Sequence, residues 1–472
     1  MLWIPVDRTA EKPLIRQVYE QIRQQILRGE LQAASKLPST RELAGDLHVS
    51  RNVVLEAYDQ LLAEGYIESR PGSGTYVAEG AYLAEEYAQL SAPISPAVST
   101  NQKKNHSIDF RSGLPALDHF PRKVWSQLTQ RVYNQANASF FGYDNPEGRL
   151  ELRQTLSHYL LRTRGVRCSP DQLLITSGAS QALSILAKLL LSSRIGVIVE
   201  DPVTYEIQVI YSRSGARLIP IPVDSHGMQT ELLPADEDPA FIFVTPSHQY
   251  PLGSILPIQR RIALIRFARA TNCFIVEDDY DSEFRYTGTP VSSLQGLDPE
   301  HVIYIGTFSK ILSPALRLGY MILPSTLISS SRIAKRLSDL HSPTLDQLVL
   351  AHFIEEGHLE RHIMKMKRLY RKRRDALIHS LEHAFGNRVH ILGDATGLHL
   401  VAEFPGIDFT ADSIRQSLEQ AGVHIYPVEM HAIHKGLHCH QIILGYGNLT
   451  AEQMEDGVTR IAQVIKTLNF PY

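Results

Sequence analysis

Apolar residues recur at three- and four-residue steps between Pro13 and Leu31, at Ile15, Val18, Tyr19, Ile22, Ile26 and Leu27, and Gly29 marks the end of the run. That is the period of one buried helix face. Ser39-Thr-Arg-Glu42 follows with a hydroxyl at the cap and a glutamate three residues on, which predicts a short helix through Leu47. After His48-Val49, Ser50 is placed to cap a second helix to about Glu64, with Val53, Val54, Ala57, Leu61 and Leu62 facing inward. Two β-prone runs then flank a Pro-Gly-Ser-Gly turn between Gly65 and Val77, the pattern of a hairpin. Two short helices joined by a tight turn and followed by a hairpin read as a helix-turn-helix with a wing.

From about Glu79 to Ser107 the periodicity fades and Pro93, Pro96, Ser and Thr gather, so residues 79–107 read as a linker in which Tyr82 to Leu90 form at most a brief helix. Beyond Ile108 the texture changes again. Leu173 to Thr176, Gly196 to Val199, Phe241 to Val244, Cys273 to Val276, Val302 to Ile305 and Tyr320 to Leu323 are short apolar runs of the kind buried in a mostly parallel sheet. Helical stretches such as Gln181 to Leu191 and Ile258 to Ala270 separate several of them, which predicts an α/β core. A long helical region from about Ser331 leads to a smaller α+β subdomain with strands in Val389 to Phe404 and Val423 to Gly445. The expected domains are therefore 1–78, a linker 79–107, and 108–472.

The 43% apolar content of the 472-residue chain supports a large core, and the formal charge of -3 removes any argument from bulk basicity for nucleic acid or membrane. DNA contact must come from local geometry. The first residues lack the pattern of a signal peptide, no stretch is apolar enough for a membrane span, and the three cysteines are scattered. A cytoplasmic protein is expected.

In a helix-turn-helix the second helix enters the major groove by its N-terminal end, which here presents Ser50, Arg51 and Asn52. Arginine can pair with guanine and asparagine with adenine through two hydrogen bonds. Lys36 and Arg41 are placed for phosphates, and Arg70 and Gly72 for a wing at the groove. Lys36-Leu-Pro-Ser-Thr-Arg-Glu-Leu-Ala, Val49-Ser-Arg-Asn, Leu61-Leu-Ala-Glu-Gly-Tyr-Ile and Arg70-Pro-Gly-Ser-Gly-Thr-Tyr-Val77 resemble the GntR-type winged helix. The resemblance implies double-stranded DNA as partner, touched at Arg41, Ser50, Arg51, Asn52 and Gly72.

Lys310, in Thr307-Phe-Ser-Lys, leaves a buried strand with Arg317 seven residues later, an arrangement suited to an amine that bonds an aldehyde carrying a phosphate. Asp278 at the end of another strand can pair with a protonated ring nitrogen, Tyr280 with a phenolic oxygen, and Tyr205 can stack on the ring. Thr176-Ser-Gly-Ala-Ser-Gln joins a strand to a helix N-terminus, where a phosphate is favoured. Together these motifs resemble the fold type I pyridoxal-phosphate (PLP) enzymes of the aspartate aminotransferase group over about Ile108 to Tyr472. The resemblance implies Lys310 as the Schiff-base lysine, Asp278 and Tyr280 on the ring, Tyr205 stacked, and Ala179, Ser180, Thr307 and Arg317 on the phosphate. The whole chain resembles the MocR/GabR regulators, which implies a domain-swapped homodimer.

The chain departs from the enzyme pattern at three places. Tyr250-Pro-Leu-Gly253, preceded by Ser247-His-Gln, stands for the usual Asn-Pro-Thr-Gly; Ile442 to Tyr446 is apolar where a substrate-binding arginine is expected; and Ile207 stands where members responsive to 4-aminobutyrate carry arginine. These changes favour a regulator sensing an amino compound, or PLP itself, over an efficient aminotransferase. His424, His431, His434, His438, Cys439 and His440 match no compact zinc signature, so no metal is expected, and some of these histidines are expected to line the effector pocket or the surface.

Overall fold

The computed structural model describes residues 4–81, 107–191, 194–289 and 291–468, and the chain divides into two units, Met1–Lys103 and Lys104–Tyr472. In the first unit α1 (Leu14–Leu27), α2 (Thr40–Asp46) and α3 (Arg51–Ala63) are followed by β1 (Ile67–Arg70) and β2 (Gly74–Val77). The capping box at Ser39 and Glu42 forms as its spacing predicts. Ser50 takes the cap position of α3, but its side chain makes no capping bond, which corrects the sequence reading. Val18, Ile22 and Ile26 of α1 are fully buried with Val54, Ala57 and Leu61 of α3. β1 and β2 pair antiparallel from Ile67↔Val77 to Arg70↔Gly74, and Gly72 and Gly74 supply the positive φ values of the turn. The expected linker lies almost wholly outside the described residues, as does its Tyr82 to Leu90 segment.

The second unit begins with β3 (Ile108–Asp109), and its main sheet comprises β4 (Leu173–Thr176), β5 (Gly196–Asp201), β6 (Arg217–Asp224), β7 (Gly227–Met228), β8 (Phe241–Val244), β9 (Phe274–Asp279), β10 (Val302–Thr307) and β11 (Gly319–Ile322). The spatial order is β4-β11-β10-β9-β8-β5-β6-β7. The central strands β10, β9, β8, β5 and β6 are parallel, β11 runs antiparallel to both of its neighbours, and β7 is antiparallel to β6. Strands buried on both faces need apolar residues at successive positions, which is why Phe241 to Val244 are all 0% exposed.

The long helical region resolves into Ile328–Asp339, Thr344–Glu355 and the 28-residue helix His358–Phe385. The smaller subdomain follows, with β12 (His390–Leu392), β13 (His399–Glu403), β14 (Val423–His424), β15 (Tyr426–Pro427) and β16 (Gln441–Gly445); β12-β13-β16-β15 form an antiparallel sheet and β14 pairs with β3. Thus Ile108 and Phe110, at the start of the unit, belong to the core of its C-terminal part.

Candidate functional site

The carboxyl ends of β9 and β10 lie side by side, with Ile305 opposite Asp278, and the chain leaving β10 delivers Lys310. Ligand groups of α/β sheets collect at such ends. Asp278 Oδ1 is buried without a hydrogen-bond partner. Burial, helped by Asp279, pushes the Asp278 carboxyl up to about 7, against the pull of Lys310. Burial also lowers the Lys310 ammonium below its ordinary range, opposed by Asp281 and Asp278. A Cβ on Gly113 would lie 2.4 Å from Lys310 Nζ, so this loop, held at φ +72°, crosses directly over the amine.

Gly178, at φ 120°, caps the helix Ala179–Leu190, whose first turn holds Ala179 and Ser180 and no acid. Arg317 is itself left-handed at φ 50°, which turns its guanidinium toward Gly178; a Cβ there would meet Nη2 at 3.4 Å. Gly319 pairs with Thr176 on one side and Thr307 on the other, bringing these ends to one corner. Thr307 Oγ1 accepts the Ser309 N–H at 3.2 Å. A helix N-terminus with a guanidinium beside it suits a phosphate.

The Tyr280 hydroxyl donates to the His248 carbonyl at 3.0 Å and lies 3.1 Å from His248 Nδ1. Tyr205 opens the helix Tyr205–Arg213 with its ring 55% exposed, while its N–H donates to His431 Nδ1 at 3.1 Å. Around them stand residues that the sequence did not single out as site residues. His248 is bonded to Asp281, and His399 donates from Nε2 to the Pro251 carbonyl at 3.0 Å, its ring 5.1 Å from that of His248. Burial holds His399 down to about 3 and His431 down to about 4. Tyr250 bonds Ser112 at 2.9 Å and packs edge-on against both His399 and His431 at 5.2 Å. His248 and Tyr250 fall within the departure from Asn-Pro-Thr-Gly and His431 within the histidine run, whereas Asp281 and His399 carry no such sequence signal.

The late strand β16 is buried throughout and carries no arginine, but Arg111 stands beside it: a Cβ on Gly445 would fall 2.3 Å from the Arg111 carbonyl. The Arg111 charge acts on both Lys310 and Tyr250. Ile207 is buried at 4%. The histidine run splits up: His431 joins the site, His434 Nδ1 meets Asp201 at 2.7 Å, His438 meets Gln441 at 2.8 Å, and His440 meets the Ile407 carbonyl at 2.9 Å. Among the described residues, the set whose ligand atoms come within 4.8 Å of one another is His248, Asp281 and His399, outside that run.

On the first unit Arg51 and Asn52 are the first two residues of α3, and they are exposed together with Lys36, Arg41, Ser50, Arg70 and Gly72. Arg70 is engaged by Glu68 at 2.5 Å and stacked over Tyr76 at 4.5 Å. Lys36 forms a bridge to Tyr76, which seats it against the wing.

Residues 14–77 match the model of bacterial regulatory proteins of the gntR family, and residues 105–461 match that of aminotransferase class I and II. The chain is 35% identical over 461 residues to the uncharacterized HTH-type transcriptional regulator YdeL of Bacillus subtilis, covering 97% of each chain. It is 34% identical over 477 residues to the probable rhizopine catabolism regulatory protein MocR of Rhizobium meliloti, covering 98% of this chain and 96% of that one. The crystal structure of Pyrococcus horikoshii kynurenine aminotransferase, in complex with PMP, superposes with a TM-score of 0.72 at 28% identity over 78% of this chain and 92% of that one. With a gntR-type reader and an aminotransferase fold on one chain, and full-length likeness to named regulators, the protein belongs to the MocR family of helix-turn-helix transcriptional regulators.

Proposed function

We propose that this regulator senses an amino compound, or PLP itself, at Lys310, and that domain 108–472 passes the outcome through linker 79–107 to DNA reader 1–78. The observation that carries this reading is the buried, unpartnered Oδ1 of Asp278 beside the Lys310 amine. A buried carboxylate without a donor is costly, and the protonated ring nitrogen of PLP is the partner it lacks. The remaining residues fit the same group: Tyr280 for the phenolic oxygen, Tyr205 for the ring face, and Ala179, Ser180, Thr307 and Arg317 for the phosphate. Bound there, PLP supplies an aldehyde and an electron-withdrawing ring.

Lys310 would hold the cofactor through its amine and would be freed where an amino compound replaced it. Asp278 would keep the ring nitrogen protonated, and Tyr250, His399 and His431 would line the approach. A change in how Lys310 and its surroundings are held favours one arrangement of a cytoplasmic, domain-swapped homodimer over another. Two copies of Ser50, Arg51 and Asn52 then read paired half-sites, with Lys36, Arg41, Arg70 and Gly72 placing each reader on the duplex.

The test is a visible absorption titration of the full-length protein with candidate amino compounds, run beside gel shifts. A coloured wild type whose band and operator affinity both respond to one compound, and a colourless Lys310→Ala variant, are expected. A wild type that takes up no PLP refutes the reading, and sustained keto-acid formation at enzymatic rates makes the protein an aminotransferase instead.

A further inference from the structure

Away from the Lys310 amine, residues Asp118 to Val124 and the first turns of the helix His358–Phe385 border an open cavity of 490 Å³. His119, Arg122, Lys123, Arg361, His362 and Lys365 line it, against the single carboxylate of Asp118. The nearby acids are taken. Asp118 lies 3.6 Å from His119, Glu356 binds Arg131 and His358, and Glu360 pairs with Arg162. Arg122, Lys123 and Lys365 form no ion pair among the described residues, and all three are exposed.

The N-termini of the helices Arg122–Gln135 and His358–Phe385 both contribute lining residues, and the first turn of the former carries no acid. The partial positive charge of the two helix N-termini therefore adds to the side-chain charge. Phe120 and Phe353, each 5.6 Å from Trp125, form an apolar wall that strengthens electrostatic attraction on that side. At the base sits His362, only 7% exposed, with Nε2 3.1 Å from the carbonyl of Ile311, the residue after Lys310.

A row of surface cations would be solvated and would select nothing. These cations instead converge on a concavity, lack carboxylate partners, and meet a buried imidazole. A carboxylate would neutralise one of them, whereas a phosphate group offers two charges and three acceptor oxygens to several donors at once. We infer that this cavity binds a phosphate-class dianion, either inorganic or a small phosphate ester, and that His362 transmits its occupancy to the Ile311–Lys310 segment. A dianion stabilises the doubly protonated imidazole, and a charged Nε2–H bonds the Ile311 carbonyl more tightly than a neutral one. The second half of the inference rests on the proposed role of Lys310; the first does not.

Calorimetric titration of the full-length protein at constant ionic strength, with pyrophosphate and separately with adenosine monophosphate, tests the site and tells the inorganic from the esterified source. Binding of at least one is expected, weakened by about tenfold or more in an Arg122→Ser/Lys365→Ser double variant. Arg217→Ser, which removes a guanidinium paired with Glu237, is expected to leave it unchanged. Equal affinity in the wild type and the double variant, or no binding of either anion, overturns the site. For transmission, pyrophosphate is expected to shift the visible band of the PLP-loaded wild type, and His362→Asn to bind the anion but lose the shift. An unmoved wild-type band at saturation overturns transmission. Wild-type pyrophosphate affinity in Lys310→Ala upholds the site even if the role proposed for Lys310 fails.

Discussion

His248 Nδ1 stands 2.9 Å from Asp281 Oδ1, with the two side chains 1% and 2% exposed. The carboxylate fixes the tautomer, placing a proton on Nδ1 and leaving Nε2 as an acceptor, and that Nε2 is buried with no partner. The pair thus holds the His248 ring against Tyr280 and His399. Asp281→Asn replaces the charged acceptor of a buried imidazole N–H by a neutral one, so it is expected to lower unfolding stability by about 1–3 kcal/mol. Denaturant titration checks this through a lower midpoint at unchanged slope; an unshifted midpoint shows that the pair is not coupled.

Gly113→Ala is expected to displace the Lys310 amine. The new Cβ meets Lys310 Nζ at 2.4 Å and must also adopt φ +72°, a conformation that alone costs about 1 kcal/mol. Gly386→Ala is the control, because Gly386 has φ +58° and nothing within 4 Å of its Cβ position. The expected outcome is similar loss of thermal stability at both positions with loss of the PLP absorption band at Gly113 alone.

Cofactor-free protein is expected to lose stability as pH rises toward neutrality, through Asp278. Its carboxyl is raised from 3.8 to about 7 in the folded chain, so the native state holds the proton longer than the unfolded state. The resulting stabilisation is complete below the unfolded value and disappears as pH climbs through the folded one. Unfolding of wild type and Asp278→Asn compared across that window isolates the effect. Their stability difference should change with pH without PLP and flatten with it, and a flat difference in both forms rejects the assignment.

Of the three candidate DNA arginines, Arg51 and Arg70 differ in how free they are. Arg70 is tied to Glu68 and Tyr76, whereas Arg51 leads α3 without an ion pair among the described residues. Arg51→Ala is expected to cost about 1–3 kcal/mol of operator affinity and to relax the preference at one base pair. Arg70→Ala should act on all sequences alike, with a smaller loss and a salt slope reduced by at most about one. Gel shifts over a salt series decide, and a larger loss at Arg70 reverses the order.

Where a residue's role is set by its neighbours along the chain, the sequence was readable. The face of α1, the capping box at Ser39 and the apolar strands leading to Asp278 and Lys310 all follow from local spacing. β6 did not stand out because Pro220 and Pro222 interrupt it; it survives because only one side is paired over residues 217–222, and an open edge tolerates proline. Position alone predicts the Ser50 hydroxyl as a cap, yet α3 starts without that bond. Gly113, Arg111 and His399 escaped notice for a different reason. Their importance arises only when segments far apart in the chain meet, as Ser112 and Tyr250 do across 138 positions.

At Gly319 the sheet packs backbone against backbone: a Cβ there would sit 2.9 Å from Gly178 Cα and 3.1 Å from the Gly306 carbonyl oxygen. Between Gly178, Gly306 and Gly319 backbone rests on backbone, with no side chain to rearrange. Gly397, from the smaller subdomain, presses instead on the rim, where a Cβ would strike His248 at 2.3 Å and Asp281 at 2.4 Å. The proposed sensor would then resemble a vice with one jaw bolted down. A compound entering it would be registered as travel of the other jaw, the C-terminal subdomain, whose core also contains Ile108 and Phe110 at the start of the unit.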